Sequence, residues 1–237
     1  MNRAYNELEI AIIGMSCQFT GSGNYLDYWR NIETEKHLIR AFTDEDLLKR
    51  GVSADLLKNK LYVKSEGVLD DKDLFDSSFF GYTPDEAAAM DPQIRIFHKQ
   101  CWAALEDAGY SPLIGKQKIG LFAGASKNYN WKIYTMASNQ VSKIDPFYLD
   151  IISSPNFISS LISYKLNLQG AAFFIDTACS TSLAAVHSAC RNLLTRECTI
   201  ALAGGVSIHT QKQKGYLYQD GMIASSDGHC RAFDKNA

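Results

Sequence analysis

The chain has 237 residues, 46% of them hydrophobic and 21% charged, with a formal net charge of −2. This is the profile of a soluble globular protein long enough to bury a substantial core. The charge offers no basic surface for nucleic acid or an anionic membrane, and no apolar run reaches the roughly 18–20 residues of a membrane span. Met1–Glu7 lacks the apolar core of a signal peptide, so a cytoplasmic location is expected. Six cysteines stand at 17, 101, 179, 190, 198 and 230. None pairs in a Cys-x-x-Cys spacing, so reduced thiols are expected rather than a zinc site or a dithiol.

Taken in chain order, Leu8–Gly14 is apolar and ends in glycine, which predicts a buried strand. Tyr25–Glu35 places Leu26, Trp29 and Ile32 at helical spacing, and the charged, aperiodic stretch from Thr43 to Asp76 predicts a surface excursion with short helices. Thr83-Pro84-Asp85-Glu86 has the form of a capping box with proline in the first turn. Asp91-Pro92 opens a second helix that runs to Ala108, where Gly109 stops it, with Ile94, Phe97, Cys101, Ala104, Leu105 and Ala108 on one stripe. Ile119–Gly124, Ala171–Ile175 and Cys198–Val206 predict further strands; Phe157–Leu166 and Ser180–Leu194 predict helices. Near-continuous apolar strands separated by helices imply a parallel or mixed sheet covered on both faces.

Asp176-Thr177-Ala178-Cys179-Ser180-Thr181-Ser182 lies where a strand hands over to a helix. A helix N-terminus favours an anion by roughly 0.3–2 kcal/mol, so a thiol there is biased toward thiolate. Cys179 therefore reads as a nucleophile or, equally simply, as a small buried packing residue; the flanking hydroxyls read as helix caps or as a cluster around the thiol. His187 is eight residues further on, roughly 12 Å along the same helix, out of reach of the thiol. His98, His209 and His229 each read as structural or exposed rather than as a base. Gly204-Gly205 lacks dinucleotide-binding spacing and reads as a place of close backbone approach. The lysines at 58, 60, 64, 116 and 118 read as solvated faces.

Several of these segments together resemble the N-terminal half of a β-ketoacyl synthase (ketosynthase) domain of modular polyketide synthases and hybrid peptide–polyketide synthetases. The resemblance rests on Ile10–Cys17, Phe79–Ala87, Met90–Arg95, Trp102–Gly109, Asp176–Leu183 and Asp227–Asp234, in the family's order. It implies an α/β, thiolase-like fold, of which only the N-terminal half is represented: a mixed sheet with helices on both faces, residues 1–237 forming a partial domain.

The resemblance also implies that Cys179 takes an acyl chain from the phosphopantetheine arm of an acyl carrier protein, its backbone N–H forming part of an oxyanion hole. Decarboxylative condensation with a malonyl-type extender would follow. No cofactor bound directly, no metal, no nucleic acid and no membrane are implied; the partners are the carrier protein, a second copy in a homodimer and the remaining half of the domain. Leu161 stands where the family commonly has arginine, and Ala171 where it often has proline. The family's catalytic histidines, active-site lysine and glycine-rich oxyanion segment belong to the other half and have no match here. The isolated chain is accordingly expected to carry the nucleophile without condensing; the alternative is a non-catalytic fragment or a module that binds a carrier protein or partner. Phe97-His98 and Gly124-Ala125-Ser126 point to synthases served by a separate acyltransferase.

Overall fold

The computed structural model describes residues 8–111, 117–138, 143–209 and 214–235; Met1–Glu7 and Lys116 lie outside them. The chain divides into two units, one of Met1–Ser16 with Asp71–Thr210 and a smaller one of Cys17–Asp70 with Gln211–Ala237. The smaller unit contains α1 (Tyr25–Glu33), β1 (Arg40–Ala41), α2 (Asp44–Lys49), α3 (Ala54–Leu57), β2 (Tyr62–Val63) and β3 (Ser65–Glu66). The larger follows with α4 (Pro84–Ala89), α5 (Pro92–Asp107), β4 (Ile119–Ala125), α6 (Tyr129–Ala137), α7 (Pro146–Ser153), α8 (Ile158–Lys165), β5 (Ala172–Phe174), α9 (Thr181–Leu194) and β6 (Ile200–Val206). Strand β7 (Tyr216–Leu217) returns to the smaller unit and pairs antiparallel with β2, as β1 does with β3.

The larger unit is built on a parallel sheet of order β5-β4-β6. Side chains alternate across a strand, and β4 divides accordingly. Ile119, Leu121, Ala123 and Ala125 join Ile94, Phe97, Cys101 and Leu105 of α5 and Ile158 and Ile162 of α8 in one core. Phe122 points the other way, onto Ala185 and Ala189 of α9. Helices therefore cover both faces. Leu121 and Phe122 are fully buried, each contributing about 1.5–3 kcal/mol relative to exposure. The small face of α9 meets the sheet, which leaves Leu183 and Val186 exposed.

Thr83 caps α4 in a complete capping box with Glu86, and Asp91 caps α5 through the Gln93 N–H. Helix α1 forms as expected, but its stripe of Leu26, Trp29 and Ile32 faces solvent, and Asn31 is the residue it buries. Asn31 Nδ2 donates to the Gly21 carbonyl and to Ser22 Oγ, both at 3.0 Å. The predicted strand Leu8–Gly14 is an exposed, irregular segment, with Ile12 at 82% exposure. An apolar sequence becomes a strand only where a ladder accepts it, and this segment pairs with none of the described strands. The segment leans on α5 instead: a Cβ at Gly14 would lie 2.4 Å from the Ala104 carbonyl oxygen, and the Met15 N–H donates to Asp107 Oδ2 at 2.9 Å. Helices α6 and α7 have no counterpart in the sequence-based expectations.

Candidate active site at the Cys179 elbow

Strand β5 gives way to a single 3-10 turn, Ala178–Ser180, before α9 begins. Ala178 adopts φ +53, a left-handed conformation that costs a residue with a Cβ roughly 1–3 kcal/mol unless its surroundings hold it there. Here they do. The Ala178 N–H donates to Asp176 Oδ1 at 3.2 Å, and its carbonyl accepts from Thr181 Oγ1 at 2.7 Å. Thr181 Oγ1 also accepts the Thr177 N–H at 3.0 Å. Ser180 Oγ turns back to the Thr177 carbonyl and Thr177 Oγ1, at 2.8 and 3.0 Å. The hydroxyls thus tie the elbow to itself. None caps α9, which starts without a side-chain cap.

Cys179 is exposed at the apex of this turn, which removes the reading of it as a buried packing residue. Burial raises the pKa of Cys17, Cys101 and Cys198 and so disfavours their thiolates. Cys230, in the smaller unit, is also exposed.

The elbow sits close against the sheet because glycines face it. A Cβ at Gly124 of β4 would lie 2.1 Å from Thr181 Cγ2 and 2.3 Å from the Ile175 carbonyl oxygen; one at Gly205 of β6 would lie 2.6 Å from Ser182 Oγ. At Gly124 the backbone carbonyl leaves no room for a side chain, and at Gly205 the Ser182 hydroxyl would have to turn away. The sequence-based reading of Gly204-Gly205 as a close approach therefore holds, and Cys179 comes to the carboxyl end of the parallel strands, where open α/β sheets place their sites.

His98 is fully buried on α5. Its Nδ1 lies 2.8 Å from the Ile94 carbonyl, an acceptor only, so Nδ1 carries the proton and Nε2 accepts from Tyr82 Oη at 3.2 Å. Burial lowers its pKa to about 4. His187 is exposed on α9 and His209 follows β6. His229 lies against His37 in the smaller unit, ring centroids 4.3 Å apart and planes tilted by 33°. Among the described residues, no group of three or more metal-ligating side chains occurs and no helix is long and apolar enough to cross a membrane.

Sequence reasoning places Gln93 only within a motif, yet it is the centre of a polar cluster. Gln93 is fully buried. Its Nε2 donates to the Ser126 carbonyl at 2.9 Å and to Asp91 Oδ2 at 3.3 Å; its Oε1 accepts Ser126 Oγ at 2.6 Å and the Ile208 N–H at 3.3 Å. Asn128 Nδ2 donates to Asp91 Oδ1 at 3.2 Å, and Ser207 Oγ bonds Ser126 Oγ at 3.2 Å. Burial raises the Asp91 pKa against these hydrogen bonds. The signal available in the sequence is a glutamine on the buried side of an apolar helix, where only a saturated polar group is tolerated.

The family model "Beta-ketoacyl synthase, N-terminal domain" matches residues 7–237. The chain is 36% identical to Polyketide synthase PksN of Bacillus subtilis, over 98% of its own length and 4% of that protein. It is 35% identical to Polyketide synthase PksL of the same organism, over 96% of its own length and 5% of the other. The crystal structure of ketosynthase twelve from the bacillaene polyketide synthase of Bacillus amyloliquefaciens superposes with a TM-score of 0.88 at 35% identity, covering 97% of this chain and 40% of that one. A second bacillaene ketosynthase, from module 1, gives 0.78 at 32% identity and again 40% coverage of the solved chain.

Proposed function

The chain belongs to the β-ketoacyl synthase family, with the thiolase-like fold of the N-terminal part of a polyketide-synthase ketosynthase, and from that we propose that Cys179 is its acyl acceptor. The carrying observation is an exposed thiol on a strained, hydroxyl-braced turn at the uncapped start of α9. The Cys179 thiolate attacks the carbonyl carbon of an acyl thioester carried on the phosphopantetheine arm of an acyl carrier protein. The oxyanion that forms faces the Cys179 N–H and the positive end of α9. The carbon–sulfur bond to pantetheine then breaks, the pantetheine sulfur leaves and takes up a proton, and the acyl group stays on Sγ as a thioester.

Condensation consumes that thioester. A malonyl-type extender loses carbon dioxide, its carbanion attacks the acyl carbon, and Cys179 leaves as thiolate with the new β-keto chain still on the carrier. The chain spans 40% of the solved ketosynthases, and of its own histidines His98 is locked in the core. The 237-residue polypeptide is therefore assigned the loading step, with condensation completed together with the rest of a ketosynthase. Edge strand β5, with Phe173 exposed, and the exposed Leu183 and Val186 of α9 supply apolar surface for that remainder and for a second copy.

Incubation with an acyl-pantetheine thioester tests the loading step. Intact mass should rise by one acyl group, and the increment should be absent from Cys179→Ala. An increment that survives this substitution overturns the assignment; no increment in either protein leaves a non-catalytic, partner-binding piece.

A further inference from the structure

We infer that Gln93 is a positioning residue for Cys179, acting through the two strand ends on which the elbow rests; the inference builds on the reading of Cys179 as nucleophile. The Gln93 amide spends its whole bonding capacity, two N–H donors and two oxygen lone pairs: three of its bonds go to groups at those ends and the fourth to Asp91 Oδ2. Ser126 directly follows β4, and Ile208 follows β6 by two residues; both are held to the first turn of α5. Just upstream, Gly124 and Gly205 are the surfaces that Thr181 and Ser182 press against. Thr181 Oγ1 in turn carries the hydrogen bonds that hold Thr177 and Ala178 on either side of the bend. The separation of β4 and β6 at their carboxyl ends thus sets where the first turn of α9 sits, and with it the direction of the Cys179 side chain and N–H. A buried amide bridging a helix start to two strand ends is more than the core needs: Asp91 already caps α5 through the Gln93 backbone N–H at 2.8 Å.

The test reads all six cysteines at once. Pulsed iodoacetamide labelling followed by peptide mass spectrometry gives the rate at Cys179 relative to the exposed Cys230, while the buried Cys101 and Cys198 report unfolding. In Gln93→Met, which keeps volume but loses every amide bond, the Cys179 to Cys230 ratio should fall about tenfold with Cys101 still protected. The rate of acyl loading should fall with it, at unchanged apparent affinity for the thioester. Should Gln93→Met fail to fold, Ser126→Ala removes one arm of the clasp and should lower the ratio in the same direction. An unchanged ratio in either folded variant overturns the inference, as does a fall accompanied by labelling of Cys101. A ratio that falls while the wild-type chain accepts no acyl group supports the positioning of the thiol and overturns its role as acyl acceptor, so the two readings fail separately.

Discussion

Two residues of the larger unit owe their settings to their neighbours. Cys179 is exposed on a backbone bend that only its hydrogen-bonded flanks make tolerable, whereas His98, a more usual catalytic residue, is locked between the Ile94 carbonyl and Tyr82. Burial lowers the His98 pKa from 6.5 to about 4, so the folded state resists protonation while the unfolded state accepts it. The sign follows: this stability is complete above about pH 6.5 and is lost as the pH falls toward 4, up to about 3 kcal/mol in all. Asp91 works in the opposite sense, because its raised pKa favours the folded state as acid is added. Urea midpoints measured across that range should therefore fall less steeply in His98→Gln than in the wild type. Identical slopes would show that His98 is not the group responsible.

Between elements, the spacing of α9 from the sheet is set by glycine. Gly124→Ala would drive a methyl group into Thr181 Cγ2 and the Ile175 carbonyl, and overpacking of this kind costs about 1–3 kcal/mol. Its melting temperature should drop by several degrees, while Gly23→Ala, with nothing within 4 Å of the new methyl, should leave it unchanged. Equal melting temperatures would refute the tight approach. The helices and central strands were legible because period and caps agreed at Thr83 with Glu86 and Asp91 with Pro92, and because Ile119–Gly124 is a near-continuous apolar run, as a strand covered on both faces requires. The segment Leu8–Gly14 shows the limit, since its apolar pattern names a strand but cannot name a partner. Helix α7 was missed although Asp145 and Pro146 repeat the start seen at Asp91 and Pro92. That local signal lacked a sufficiently regular apolar stripe behind it. The Gln93 clasp was illegible for another reason: its partners, Ser126 and Ile208, are 33 and 115 residues away in sequence.

Across the whole chain, the order of motifs matches the β-ketoacyl synthase family, and the fold exposes Cys179 while it partly or fully buries Cys17, Cys101, Cys190 and Cys198. Chemistry at this thiol need not follow from exposure alone, because Cys230 is exposed as well. What differs is the setting: Cys179 lies at the uncapped start of a 14-residue helix, braced by hydroxyls and set on the carboxyl ends of a parallel sheet. The distribution of acyl groups among the cysteines after limited exposure to an acyl-pantetheine thioester tests this most directly. The account predicts acylation at Cys179 with Cys230 left free; comparable acylation of Cys179 and Cys230, as two merely accessible thiols, would contradict it.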